Sequence, residues 1–240
     1  SKTGEVMAGN PVVETYTWVP ELDLSITFRL DTLSWFMVLI VGAVGALVLA
    51  YCAWYFASVA KGKGRHKAFE DFVAVSRDLV ARGITKPSRI ACHGGSNGGL
   101  LTAVMATRYP EDFGAIWTSV PVIDMSRFHV FPAGKAWMDE YGNPDVAEEL
   151  AAMLTYSPLH NIDPAAEVTY PPIYIESSTN DDRVHPSHAR RFAKRLIDAG
   201  HRPLFHEYGS GGHGGAGDTL EQAARLAMGY SFLRETIMKA

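Results

Sequence analysis

Ser96 lies in Gly94-Gly95-Ser96-Asn97-Gly98-Gly99, directly after Arg89-Ile90-Ala91-Cys92-His93 and directly before Leu100, Leu101 and Val104 at helical spacing. A serine between a strand and a helix, with glycines two before and two after, fits a nucleophile elbow. The chain turns so sharply there that the hydroxyl projects above the sheet edge, and small neighbours leave room for the turn. The chemistry on offer is attack on an acyl carbon. With 22 Gly in 240 residues the motif can arise by chance, so the strand-before, helix-after context carries the argument. A serine hydroxyl is a weak nucleophile until a base lies within hydrogen-bond reach and a carboxylate orients that base. Thr179-Asn180-Asp181-Asp182-Arg183-Val184 supplies the carboxylate, and position alone leaves Asp181 and Asp182 both open. One of such a pair ahead of Pro186 can instead cap a helix. His213, among six glycines from Gly209 to Gly217, supplies the base on a loop that can approach closely. Gly209-x-Gly211-x-x-Gly214 also has dinucleotide-binding spacing, but it follows the last expected strand, so that reading is weak. His185 and His188 have no third ligand at sensible spacing and read as solvent-facing, and His93 as a packed or hydrogen-bonded strand residue. No metal and no cofactor are expected.

These side chains need a frame. Amphipathic helix patterns cover 67–82, 98–108, 186–199 and 219–236, and short apolar runs at 89–93, 115–120, 173–177 and 204–208 read as strands. Strands alternating with helices predict a parallel sheet with right-handed crossovers, Ser96, the acid and His213 each leaving the C-terminal end of a strand. Residues 32–60 carry no charge and are apolar on every helical face at their centre. Trp35 and Phe36 bracket one end, and Trp54, Tyr55 and Phe56 the other. Such a run predicts a transmembrane helix. Lys61, Lys63, Arg65 and Lys67 after it predict a single-pass protein with its C-terminal part in the cytoplasm, or a cytoplasmic protein if the segment does not insert. The net charge of −4, without a basic stripe, gives no reason to expect nucleic acid. Two cysteines, Cys52 and Cys92, make no disulfide framework and fit a reducing compartment. Residues 1–20 are polar and predict no secretory signal. The oligomeric state is open.

Two resemblances follow from longer stretches. Residues 14–56, through Phe28-Arg29-Leu30-Asp31-Thr32-Leu33-Ser34 to Tyr51-Cys52-Ala53-Trp54-Tyr55-Phe56, resemble an early membrane segment of the large subunit of monovalent cation/proton antiporters and its relatives in NADH-quinone oxidoreductase. The buried lysines and glutamates of proton carriers are absent, so this segment is expected to anchor rather than transport. Residues 61–240 resemble the C-terminal part of the catalytic domain of the prolyl oligopeptidase family of serine peptidases. The matching stretches are Arg65-His66-Lys67, Phe69-Glu70-Asp71-Phe72, 94–101, 124–129, 137–142, 156–161, 181–184 and Gly211-Gly212-His213.

That resemblance implies Ser96 as nucleophile, Asp181 as orienting carboxylate, His213 as base and the Asn97 backbone N–H as an oxyanion donor. It implies a peptide substrate cut after proline, Trp137 stacking on the proline ring. Val122, Tyr141 and Val184 would line the same pocket, and Arg183 would bond a substrate carbonyl. It also implies a second oxyanion donor, a tyrosine on an earlier strand, for which no counterpart is found: Tyr141 belongs to another motif, and Tyr51 and Tyr55 lie in the apolar run. Activity is therefore expected to be impaired, and strand 89–93 to be an exposed edge.

The combined expectation is an α/β chain, a partial α/β-hydrolase fold holding the second half of its parallel sheet, preceded by one long apolar, transmembrane helix. Its divisions are a polar segment 1–31, the span 32–60 and a truncated catalytic domain 61–240, a chimera with possible membrane association through 32–60. The competing readings are an antiporter-subunit fragment with a passive tail, and an esterase of the same fold, against which Trp137 and Arg183 argue.

Overall fold

The structure, a computed structural model, describes residues 2–58, 65–214 and 217–239. The expected junction at 59–64, and Gly215 and Ala216 of the glycine-rich loop, lie outside the described residues. The chain divides into two compact units, Ser1–Ser58 and Val59–Ala240.

In the first unit, Leu24, Ile26, Phe28 and Leu30 alternate with Ser25, Thr27 and Arg29, a period-2 signature of a strand. After helix α1 (Lys2–Met7), strands β1 (Val12–Val19) and β2 (Leu24–Leu30) form an antiparallel hairpin. Tyr16 meets Phe28 edge to face at 6.0 Å, and Thr15 bonds Thr27 at 3.0 Å. Helix α2 (Thr32–Ser58) starts where the Asp31 carboxylate accepts the Ser34 N–H at 2.9 Å, a side-chain cap on an otherwise orphan donor.

The expectation of a membrane-spanning helix over 32–60 is corrected. Among the described residues, no helix is long and apolar enough to cross a membrane. Side chains of α2 are described through Leu47. The rest of the expected span, 48–60, lies outside the described side chains. The single-pass topology, the membrane association through 32–60 and the membrane–hydrolase chimera rested on that helix and are corrected with it.

In the second unit, the unbroken apolar character of 115–120 and 173–177 is what strands covered on both faces require. The elements are α3 (Arg65–Ala81), β3 (Ala91–Gly95), α4 (Asn97–Arg108), β4 (Ala115–Ser119), α5 (Met138–Tyr141), α6 (Ala147–Leu154), β5 (Ile173–Ser178), α7 (Ser187–Asp198), β6 (Leu204–Tyr208) and α8 (Thr219–Ile237). The four strands run parallel in the order β3-β4-β5-β6. Every residue of β4 and β5 is buried, whereas β3 and β6 are partly exposed. Beyond β3 no further strand pairs among the described residues, so it is the edge that the sequence led us to expect.

Successive side chains alternate between the two faces. Ile116, Ile173 and Ile175 join Leu100 and Val104 of α4 and Phe192 and Leu196 of α7 in the main core. Ala115, Trp117 and Tyr174 face the other way, against Phe232 of α8. Gly229 lets α8 approach: a Cβ there would overlap the Trp117 ring. His93 stacks on the same indole, centroids 3.8 Å apart, and its Nε2 lies 3.2 Å from Ser119 Oγ.

Candidate active site

The β3–α4 junction makes the tight turn that its glycines suggest. Ser96 adopts φ 60°, ψ −117°, a left-handed conformation that costs a non-glycine residue on the order of 1–3 kcal/mol. Its N–H donates to Ser119 O at 2.9 Å, and its carbonyl accepts from Leu100 N at 3.1 Å and Val122 N at 3.3 Å. The surroundings over-determine the strain. A Cβ on Gly94 would overlap the Gly98 carbonyl, and one on Gly99 would lie 2.7 Å from Pro121 Cα, whereas one on Gly98 would meet nothing. The glycine requirement thus falls on Gly94 and Gly99. Gly94→Ala is expected to lower stability by about 1–3 kcal/mol, as over-packing does, while Gly98→Ala costs less than half as much in a chemical melt. Equal costs would remove this account of the elbow.

The glycine-rich loop brings His213 to Asp181. His213 Nδ1 lies 3.0 and 2.9 Å from the two Asp181 carboxylate oxygens. A carboxylate only accepts, so the proton sits on Nδ1 and Nε2 keeps its lone pair. Asp181 Oδ1 also accepts the backbone N–H groups of Arg183 and Val184, each at 2.9 Å. The Asp181 side chain is fully buried, while Asp182 is exposed. Position left the two aspartates open; contact separates them.

Several residues that hold this loop were not singled out from the sequence. Ser178 Oγ donates to Gly211 O at 3.0 Å, Asn180 Nδ2 to Gly209 O at 3.1 Å, and Arg225 to Gly214 O at 2.9 Å. Glu221 accepts from Ser210 Oγ and, at 2.7 Å, from Gly217 N, while its own N–H goes to Asp218 at 2.8 Å. The spacing Asp218-x-x-Glu221 is a capping-box signal that could have flagged both.

The remaining candidates lie on neighbouring elements. Tyr141, buried at the end of α5, donates its hydroxyl to Asn97 Oδ1 at 2.8 Å, so two candidates meet directly. Val122, Tyr141 and Val184 are buried in the main core, with Trp137 half-buried against it. Arg183 is exposed. Cys92, one residue pair before the elbow glycines, is buried, which pushes its thiol up to about 12 and keeps it unreactive. Among the described residues no hydrogen bond joins Ser96 Oγ to His213, and no cluster of three or more metal-ligating side chains occurs. Catalytic hydrogen bonds are often long in a ligand-free site and tighten with substrate.

One histidine reads differently from expectation. His188 is not solvent-facing but 2% exposed, its Nδ1 accepting the N–H groups of Ile123 at 3.1 Å and Asp124 at 3.0 Å. His185 is exposed and stacks on Phe131 at 4.7 Å.

Comparison with known proteins gives two family matches. The sequence model of the Prolyl oligopeptidase family matches residues 51–240. That of NADH-Ubiquinone oxidoreductase (complex I), chain 5 N-terminus matches residues 17–65. The second is a similarity over about a fifth of the chain, and no spanning helix accompanies it among the described residues. The first begins inside the apolar run rather than after it. The chain is 39% identical over 174 residues to the Uncharacterized peptidase y4nA of Sinorhizobium fredii, covering 72% of this chain and 24% of that protein. It is 34% identical over 189 residues to Prolyl oligopeptidase A of Galerina marginata, covering 77% and 25%. A solved post-proline cleaving enzyme from Rickettsia typhi superposes with a TM-score of 0.71 at 39% identity, over 75% of this chain and 26% of that one. The chain thus spans about a quarter of the length of the curated relatives it matches.

Proposed function

The chain belongs to the prolyl oligopeptidase family, and from that premise we propose that it is a serine peptidase hydrolysing peptide bonds after proline through Ser96, Asp181 and His213. The observation that carries the reading is the Asp181–His213 contact, which fixes the imidazole with its proton on Nδ1 and its basic nitrogen free. In the proposed reaction His213 Nε2 takes the Ser96 hydroxyl proton as Oγ attacks the scissile carbonyl. The Asn97 N–H, first in α4, faces the developing oxyanion, and Asp181 stabilises the imidazolium. The proton passes from Nε2 to the leaving amine as the C–N bond breaks. Water then hydrolyses the acyl-Ser96 ester by the same base.

The substrate is a peptide whose proline ring stacks on the Trp137 indole, since a ring without an N–H needs only apolar cover. Val122, Tyr141 and Val184, buried in the main core that Trp137 packs against, would line the same pocket, and Arg183, being exposed, would meet a substrate carbonyl. Residues 61–240 contain every residue of this assignment.

The test is turnover of a Gly-Pro amide against the matched Gly-Ala amide and a p-nitrophenyl ester. The peptidase reading expects the prolyl amide to be cleaved with kcat/KM at least about tenfold above the alanyl one. Ester turnover without amide cleavage would establish the esterase reading in its place.

A further inference from the structure

The turn after β4 carries more strain than any role assigned so far explains. Val120, β-branched and buried, sits at φ 40°, a conformation that such a residue adopts only under constraint. Three contacts impose it. Val120 N donates to Glu176 O of β5 at 2.8 Å. Pro121 packs on Gly99, at the start of α4, so closely that no side chain fits between them. Val122 N donates to the carbonyl of Ser96 at 3.3 Å. The near end of this turn therefore lies directly on the nucleophile elbow.

Its far end is held by a different element. The N–H groups of Ile123 and Asp124 both donate to Nδ1 of His188, the second residue of α7. That helix follows directly on the loop of Asp181, Arg183 and Val184. Ser157 adds a second hold, accepting from Met125 N at 3.2 Å and donating to Ile123 O at 3.1 Å. A ring nitrogen that accepts two N–H groups must carry no proton, so the His188 proton belongs on Nε2. Burial pushes this imidazole down to about 4, which keeps it neutral.

We propose that His188 is a positioning residue, which clamps the turn 120–124 onto the Ser96 elbow and so sets the nucleophile relative to the Asp181 loop at the head of its own helix. Its consequence for turnover rests on the peptidase reading above; the clamp itself does not. Among the described residues, Arg191 of the same helix also pairs with the Asp124 carboxylate, but His188 is the α7 side chain that bonds the turn's backbone N–H groups.

The experiment compares the 240-residue chain with its His188→Ala and His188→Asn variants, the asparagine Oδ1 standing near the position of the imidazole Nδ1. Amide hydrogen exchange is read at Ile123 and Asp124 and at Ser96 to Gly98. Kinetics on the Gly-Pro amide and fluorophosphonate labelling run in parallel. The clamp predicts faster exchange at both places in His188→Ala and recovery in His188→Asn. It predicts a fall in kcat of about 10–100-fold with KM little changed in the alanine variant, the size expected of a slightly misplaced reacting group, and return to within about threefold in the asparagine variant. If His188→Ala does not fold, the asparagine variant decides alone: wild-type exchange at Ile123 and Asp124 supports the clamp, and loss of that protection overturns it. Unchanged exchange at Ser96 to Gly98 in a folded His188→Ala overturns the proposal. A wild-type chain that neither labels nor turns over sinks the peptidase reading, and the exchange pattern still decides the clamp.

Discussion

Ser96→Ala is expected to abolish fluorophosphonate labelling and to lower kcat on a prolyl amide by on the order of 10⁴–10⁶-fold. On the proposed mechanism the loss is large because the hydroxyl is the atom that forms the acyl bond, and neither Asp181 nor His213 can replace it once removed. What survives is whatever the Asn97 N–H and substrate binding contribute without a covalent step. The substitution leaves the backbone conformation in place, since Ser96 keeps φ 60° through its bonds to Ser119, Leu100 and Val122 rather than through its side chain. Alanine inherits the strain; glycine does not. Ser96→Gly is therefore expected to be as inert as Ser96→Ala yet more stable by about 1 kcal/mol, which a pair of chemical melts will measure. Labelling that persists in both variants would place the nucleophile elsewhere, and a glycine variant less stable than the alanine one would contradict the strain at the elbow.

The elbow was legible because it is local. Gly94, Ser96 and the apolar run before them lie within a few residues, and short-range sterics act at that distance. Even so, the spacing pointed to Gly98 where contact points to Gly99, because the constraint on Gly99 comes from Pro121, far away in sequence. The choice between Asp181 and Asp182 was not legible from position, since neighbours on one loop differ only in which way each turns. Burial and the reach of His213 separate them. His188 was misread for a geometric reason. A spacing of three puts two residues on one face only inside a helix, and α7 begins at Ser187, so His185 precedes it; both rings meet Phe131, but His185 stays exposed while His188 is buried. The hairpin at 12–30 escaped notice although β2 alternates plainly, because its apolar residues are largely exposed and build no core to be recognised by. The apolar run after it was read by composition alone, and among the described residues no helix is long and apolar enough to cross a membrane.

The second large effect separates the two aspartates. Asp181→Asn is expected to lower kcat by about 10⁴-fold without unfolding the chain, while Asp182→Asn, an exposed change on the same loop, leaves kcat within about threefold. The reason lies in donors and acceptors. In the native loop Oδ1 accepts from the N–H groups of Arg183 and Val184, and both oxygens face Nδ1 of His213. An asparagine can keep Oδ1 on the two backbone N–H groups, so the loop holds its shape. Its amide nitrogen then faces the imidazole and can only donate. To accept that bond, Nδ1 must give up its proton to Nε2, the atom that in the proposed reaction receives the Ser96 proton. The base is thereby lost to a change of tautomer, with the fold intact. Matched near-UV dichroism and melting curves for wild type and both variants, beside kcat on the prolyl amide, will read the two effects apart. A larger loss at Asp182 than at Asp181 would reassign the carboxylate. An equal and modest loss at both would mean that the Asp181–His213 contact holds the loop together but takes no part in the reaction.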